Sequence, residues 1–322
     1  MNTIQFIKTL NHWGQNNVPF LFMVDFEMEN PIAIPLADVD PLVIQYNFQG
    51  FTNESLRHNN LEISLRKNPI TFDAYKERFD KVMSHLKQGD SFLTNLTIRT
   101  ELRTDLTLNA IYSISKAKYK LHYKDNFVFF SPEPFIQISD NKISSFPMKG
   151  TIDAIIPNAK DTILKDQKEL SEHITIVDLI RNDLSQVAEN VEVVNFRYVE
   201  EVTTHDKTLL QVSSQVTGYL SNDYRNNIGD IIIKLLPAGS VSGAPKVKTL
   251  EIISAAEGSK RGYYTGVCGY FDGTTLDSGV MIRFIENNRG TLYYRSGGGI
   301  TAQSNDREEY LEAINKIYVP ID

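Results

Sequence analysis

The sequence predicts an α+β fold, and three observations carry that prediction. Stretches rich in β-branched and aromatic residues run the length of the chain. They lie at hairpin spacing and mix with helical patterns, without the regular strand–helix–strand alternation of a doubly wound sheet. Two glutamate pairs, Glu169/Glu172 and Glu309/Glu312, come from distant parts of the chain, so one compact domain has to unite them. The predicted strands, in order, cover 19–25, 91–102, 127–130, 135–139, 191–199, 209–220, 263–271, 276–286 and 291–296. The predicted helices cover 72–87, 162–187, 226–236, 245–256 and 306–317, with Pro245 in a first turn, where its missing N–H is tolerated.

Composition narrows the function classes. The chain of 322 residues suits one large domain or two ordinary ones, and no repeat or linker divides it. A net charge of −7 argues against a nucleic-acid footprint or an anionic membrane surface. No apolar run approaches the ~20 residues that span a bilayer. The N-terminal residues show no apolar signal core or cleavage site, so no signal peptide is expected. Cys268 is the only cysteine, which excludes an internal disulfide and suits a reducing cytoplasm.

The i, i+3 spacing places each glutamate pair on one helix face, and Lys316 follows Glu309 and Glu312 one turn on. Carboxylates converging from two helices, without Cys or His beside them, suit a hard cation such as Mg²⁺; solvated helix surface is the alternative for either pair alone. The loop LLPAGSVSGAPK, 235–246, leads into a helix whose N-terminus can hold an anion, or it is a structural turn. It is not a phosphate loop of the GxxxxGK[ST] type. Gly297, Gly298 and Gly299 follow the last strand and allow a backbone to approach a ligand closely. Arg283, read between Met281 and Ile285 on one strand face, needs an internal carboxylate or a substrate carboxylate. Lys149 precedes a glycine; in a closed site its amine becomes a nucleophile, and otherwise it is merely exposed.

These segments together resemble the chorismate-utilising enzymes: anthranilate, aminodeoxychorismate, isochorismate and salicylate synthases. SPEPF, PMKGT, EHITIVDLIRNDL, LLPAGSVSGAPK, RGYYTGVCGYFD, MIRF and SGGGITAQSNDREEYLEAINK occur in the family's order and spacing. The motifs lie within 71–322, and 1–70 is a shortened N-terminal part of the same single domain, 1–322. The resemblance implies an α/β/β/α sandwich of two large, mostly antiparallel sheets with helices outside. It is nearest to component I of aminodeoxychorismate synthase, because that type carries Lys in a P-x-KGT motif where anthranilate synthases carry Ala.

The resemblance also implies roles. Glu172 and Glu312 become the direct Mg²⁺ ligands, with Glu169 and Glu309 behind them, and the metal binds the ring carboxylate of chorismate. Lys316 and the Gly297–Gly299 amides contact that same end. Tyr264 and Arg283 hold the enolpyruvyl carboxylate, and Thr151, Ser240 and Gly243 line the pocket. Glu133 acts as general acid at the departing 4-hydroxyl, and Lys149 attacks ring carbon C2 before ammonia adds at C4.

Departures from the family pattern carry information. Leu93 stands where water-activating members have Lys, which argues against isochorismate and salicylate synthases. Gln211 stands where most members have His. No glutaminase signature is present, so ammonia comes from solution or from a separate glutamine amidotransferase subunit. An anthranilate synthase component I and a noncatalytic anion-binding protein built on the 235–246 loop are the alternatives.

Overall fold

In the computed structural model, residues 1–54, 64–203 and 208–321 are described, so residues 55–63 of the N-terminal part lie outside the description. Two nine-stranded antiparallel sheets form the centre. The first runs in the order Met148–Asp153, Thr208–Tyr219, Lys142–Ser145, Pro134–Ser139, Leu276–Val280, Val267–Phe271, Phe20–Val24 and Ile32–Pro35. Glu189–Thr203 covers the other side of Thr208–Tyr219. The second runs Gly243–Ala244, Leu93–Arg103, Thr291–Ile300, Phe284–Asn288, Phe127–Ser131, Tyr119–Tyr123, Ile44–Phe48 and Phe51–Thr52, with Arg66–Asn68 also along Leu93–Arg103.

Burial shows how the layers stack. Every residue of Phe20–Val24 is buried. Successive side chains point to opposite faces. Phe20, Phe22 and Val24 join Phe6 and Leu10 of helix Thr3–Gln15 and Ile232 of helix Ile228–Lys234. Leu21 and Met23 join Phe48, Tyr119 and Phe129 of the second sheet. The first sheet therefore has helices on one face and its partner sheet on the other, which explains an unbroken apolar strand. On the second sheet, Leu96, Ile98 and Ile300 pack against Val82, Ile252 and Ala313 of three outer helices. This is the expected α/β/β/α sandwich. No helix among the described residues is long and apolar enough to cross a membrane.

Several boundaries differ from the sequence expectation. The helix expected over 162–187 is two helices, Ala159–Lys165 and Gln167–Leu184. Asp166 breaks it and caps the second, its Oδ1 accepting from the Glu169 N–H at 3.0 Å. Pro245 is the residue before helix Lys246–Glu257 rather than part of its first turn. The strand expected over 263–271 starts at Val267, because Tyr263–Gly266 closes a turn. Helices Thr3–Gln15 and Leu108–Ile114 and strands such as Met148–Asp153 were not expected.

Two differences place the site. The strand expected over 276–286 is two strands in different sheets, Leu276–Val280 and Phe284–Asn288. Arg283 lies in the crossing between them with φ 53°, not on a strand face. The chain crosses in the other direction between Phe127–Ser131 and Pro134–Ser139, through Glu133. Val280 N–H donates to the Glu133 carbonyl at 3.0 Å and Phe130 N–H to the Arg283 carbonyl at 3.2 Å, so the crossings lie side by side. The glycine run is also not a loop after a strand. Gly297–Gly299 are strand residues, paired with Thr97, Leu96 and Asn95.

Candidate active site

Lys149 is aimed by a bulge. The ladder between Met148–Asp153 and Thr208–Tyr219 slips between Met148 and Thr151, and Gly150 takes φ 83°. That conformation favours glycine, and a bulge redirects the neighbouring side chain. A Cβ on Gly150 would also stand 3.1 Å from the Glu169 carboxylate. The Lys149 amine reaches Glu172 at 3.3 Å. It lies 3.4 Å from where a Cβ on Gly299 would be, and Leu93 Cδ1 lies 2.9 Å from the same point. Leu93 is buried, so the group beside Lys149 is an aliphatic side chain.

The second glutamate pair meets the neighbouring glycine. A Cβ on Gly298 would stand 3.3 Å from Glu312 Oε1, 3.5 Å from Lys316 Nζ and 3.6 Å from Glu309 Oε2. Asn305 caps helix Asp306–Asn315, so Glu309 lies in its first turn and Glu312 a turn later. Glu309 is buried and accepts from Ser304 Oγ at 2.7 Å. Lys316 bonds Glu312 at 2.6 Å and the Gly297 carbonyl at 3.0 Å. Lys149, bonded to Glu172 of the first pair, and the second pair with Lys316 thus stand at consecutive residues of one strand. Among the described residues no three His, Cys, Asp or Glu side chains are gathered into one metal-holding group. The donor chemistry still fits Mg²⁺: the facing oxygens are carboxylates, with no imidazole or thiolate among them.

Glu133 receives a hydrogen bond from Ser240 Oγ, which fixes the 235–246 loop against the crossing. Burial pushes the Glu133 carboxyl above its ordinary range, against the pull of Ser240 and of the charges on Lys149, Arg283 and Lys316. Burial pushes the Lys316 amine down, opposed by Glu312 and reinforced by Arg283 and Lys149. Three cations, Lys149, Arg283 and Lys316, therefore act on one region. Arg283 Nε donates to the Tyr318 hydroxyl at 3.3 Å, so its partner there is a hydroxyl rather than a carboxylate. Tyr264 is buried, and burial pushes its phenol up to about 12.

The remaining expected residues divide. Thr151 is exposed at the rim, opposite Gln211 in the ladder. Gln211 Nε2 donates to Met148 Sδ at 2.7 Å, so its amide is engaged by the neighbouring strand. Gly243 shapes the wall without offering a side chain: with φ 138°, its Cβ would stand 1.9 Å from the Leu93 carbonyl oxygen. Sequence reasoning missed Tyr318 and Ser304, which orient Arg283 and Glu309. Only their positions beside Lys316 and the helix cap pointed to them.

Comparison with known proteins supplies the family. The model of the chorismate binding enzyme family matches residues 35–322, so the chain belongs to that family. It is 47% identical over 317 residues to an uncharacterized PabA-like protein of Haemophilus influenzae, covering 98% of this chain and 97% of that one. It is 33% identical over 267 residues to anthranilate synthase component 1 of Mycolicibacterium smegmatis, covering 76% of this chain and 50% of that protein. With aminodeoxychorismate synthase component 1 of Bacillus subtilis it shares 29% over 265 residues, covering 78% and 55%. The chain thus spans about half the length of these two synthases. The crystal structure of anthranilate synthase component I from Streptococcus pneumoniae superposes with a TM-score of 0.69 at 27% identity, covering 79% of this chain and 58% of that one.

Proposed function

We propose that this chorismate-binding protein is an aminodeoxychorismate synthase component I, converting chorismate and ammonia to 4-amino-4-deoxychorismate for p-aminobenzoate and folate synthesis. The carrying observation is Lys149. The Gly150 bulge aims its amine at the strand that also faces Glu312 and Lys316. Leu93 supplies an aliphatic neighbour where water activation needs a base.

In this reading Arg283 and Tyr264 hold the enolpyruvyl carboxylate and Lys316 sits at the ring-carboxylate end. The Lys149 nitrogen bonds to ring carbon C2, both ring double bonds shift, C1=C2 to C1=C6 and C5=C6 to C4=C5, and the C4–O bond breaks. Glu133 gives its proton to the departing hydroxyl, which leaves as water. Burial suits it to that task, because it keeps the carboxyl protonated to higher pH. Ammonia then bonds to C4, both double bonds shift back, and lysine leaves C2. The net change is one amine gained and one water lost. Glu172 and Glu312, with Glu169 and Glu309, would hold Mg²⁺, which would neutralise charge on the ring carboxylate.

Ammonia has to come from outside the chain. Cys268 is fully buried in the strand Val267–Phe271, where burial raises its thiol well above the ordinary value, so it does not serve as a glutaminase nucleophile. A separate glutamine amidotransferase subunit is the proposed partner. The test is to incubate the chain with chorismate, ammonium and Mg²⁺ and to separate the products. Aminodeoxychorismate is expected. Fluorescent anthranilate would replace this reading with the anthranilate synthase one, and unchanged chorismate would leave a noncatalytic binding protein. Intact mass of a reaction lacking ammonia should show an adduct on Lys149.

A further inference from the structure

A buried ion pair lies outside the groups considered so far. Arg261 and Glu257 have side chains only 1% and 3% exposed. Each of the five guanidinium N–H donors has an acceptor. Nε bonds Glu257 Oε2 at 3.0 Å and Nη2 bonds Glu257 Oε1 at 2.6 Å. The others reach the Val241 carbonyl at 2.8 Å, Thr265 Oγ1 at 3.3 Å and the Asn95 carbonyl at 2.8 Å. Glu257 Oε1 also accepts from the Thr97 N–H at 2.8 Å and from Thr97 Oγ1 at 2.9 Å.

The place of these bonds matters. On one side the strand Leu93–Arg103 pairs with Thr291–Ile300 along the glycine run. On its outer side, among the described residues, strands pair only with 93–94 and 101–103. The outward backbone groups of Asn95 and Thr97 fall in the gap, and buried backbone groups must be satisfied. The ion pair satisfies the Asn95 carbonyl and the Thr97 N–H, while Ser242 takes the Asn95 N–H at 2.8 Å. Asn95 and Thr97 are the register partners of Gly299 and Gly297. The same guanidinium holds Val241, next to Ser240, and Thr265, whose hydroxyl bonds the Tyr264 carbonyl at 2.6 Å.

We propose that the Arg261–Glu257 pair is a positioning device that replaces a missing edge strand and locks three walls of the pocket to one another: the glycine strand, the Ser240 loop and the Tyr264 turn. This rests on the functional reading above, because the walls matter as walls of a chorismate pocket. A buried ion pair is weak evidence of stability, since apolar side chains of similar volume often do as well. An apolar pair cannot, however, hydrogen-bond three separate chain segments. Lysine cannot either, because it lacks the planar fork.

The test is Arg261→Lys, with Glu257→Gln as a second variant and Phe6→Leu, in the apolar core behind the first sheet, as a control of comparable destabilisation. Chorismate consumption per folded protein is measured well below each Tm, so that either amination product counts. Hydrogen exchange is followed in peptides covering 95–98, 240–243 and 264–266. For Arg261→Lys the expectation is a kcat/KM loss on the order of 10- to 100-fold, as displacements near 1 Å produce, with KM rising. The three segments should exchange faster together, and the control should change neither readout. A kcat/KM within about twofold of the parent, or parental exchange in the three segments, overturns the proposal. A parent that leaves chorismate unchanged refutes the functional reading instead. The exchange pattern then decides the positioning role alone, joint loosening supporting it and parental exchange overturning it.

Discussion

Neighbouring glycines of one strand should respond to the same substitution in opposite ways. A methyl on Gly297 would stand 2.2 Å from the Leu96 carbonyl oxygen and 2.7 Å from Thr97 Cα, both backbone atoms of the paired strand. The ladder has to part, and overpacking of this kind costs about 1–3 kcal/mol. A methyl on Gly298 meets nothing nearer than the Glu312 carboxylate at 3.3 Å, at the end of a side chain that can turn. Its backbone does not have the positive φ that requires glycine. Restricting the unfolded chain then offsets the contact by about 0.4–1 kcal/mol, leaving stability near the parent's. With an unfolding entropy of about 2.1 cal/mol/K per residue, each kcal/mol moves Tm by only about 1.5 °C in a chain of this length. Gly297→Ala should therefore lower Tm by about 2–5 °C, and Gly298→Ala should leave it within about 2 °C. Activity should depend strongly on Gly298, whose methyl projects among Glu312, Lys316 and Glu309, where the ring carboxylate is proposed to lie. A displacement near 1 Å there is worth on the order of 100-fold in kcat/KM. Differential scanning fluorimetry and chorismate consumption at saturating ammonium and Mg²⁺ measure the two quantities. A Gly298→Ala chain with parental kcat/KM refutes the placement of substrate against this residue.

Three further outcomes follow from the same geometry. Glu172→Gln and Glu312→Gln keep side-chain shape and remove one negative charge each, so turnover should vanish while circular dichroism and Tm stay near the parent's; full activity of either at limiting Mg²⁺ refutes the metal assignment. The Ser240 hydrogen bond pulls the raised Glu133 pKa down, so Ser240→Ala should raise it further. An acid is active below its pKa, and activity falls as pH rises through it, so the alkaline limb of kcat/KM should move to higher pH; a limb that stays or moves to lower pH argues against Glu133 as the acid. Cys268 should resist a thiol reagent in the native chain and react fully in guanidinium, because the thiol is buried and its pKa raised; rapid native labelling would contradict the packing.

What the sequence made legible depended on the range of the interaction. The helix carrying Glu309 and Glu312, with Lys316 just past its end, follows from local spacing, and the structure adds the Asn305 cap that starts it. The helix Thr3–Gln15 carries a local signal of the same kind, the capping box of Asn2 and Gln5, which the sequence expectation leaves out. Other features have no local signature. A strand-like stretch such as 276–286 looks the same whether it stays in one sheet or changes sheets at Arg283, because both destinations are largely buried. The bulge that aims Lys149 exists only in its register against Thr208–Tyr219, and Gly150 alone does not reveal it. The Arg261–Glu257 pair has i, i+4 spacing, yet Gly258 ends the helix between the two, so helical spacing understates what they do. These cases share one cause. The site is built where the backbone leaves its ladders: at two sheet crossings, a bulge and an unpaired edge. Leaving a ladder frees side chains from the strand faces, and it exposes backbone groups that specific side chains must then satisfy. Residue identity is therefore local and readable, whereas aim is set by non-local pairing and is not.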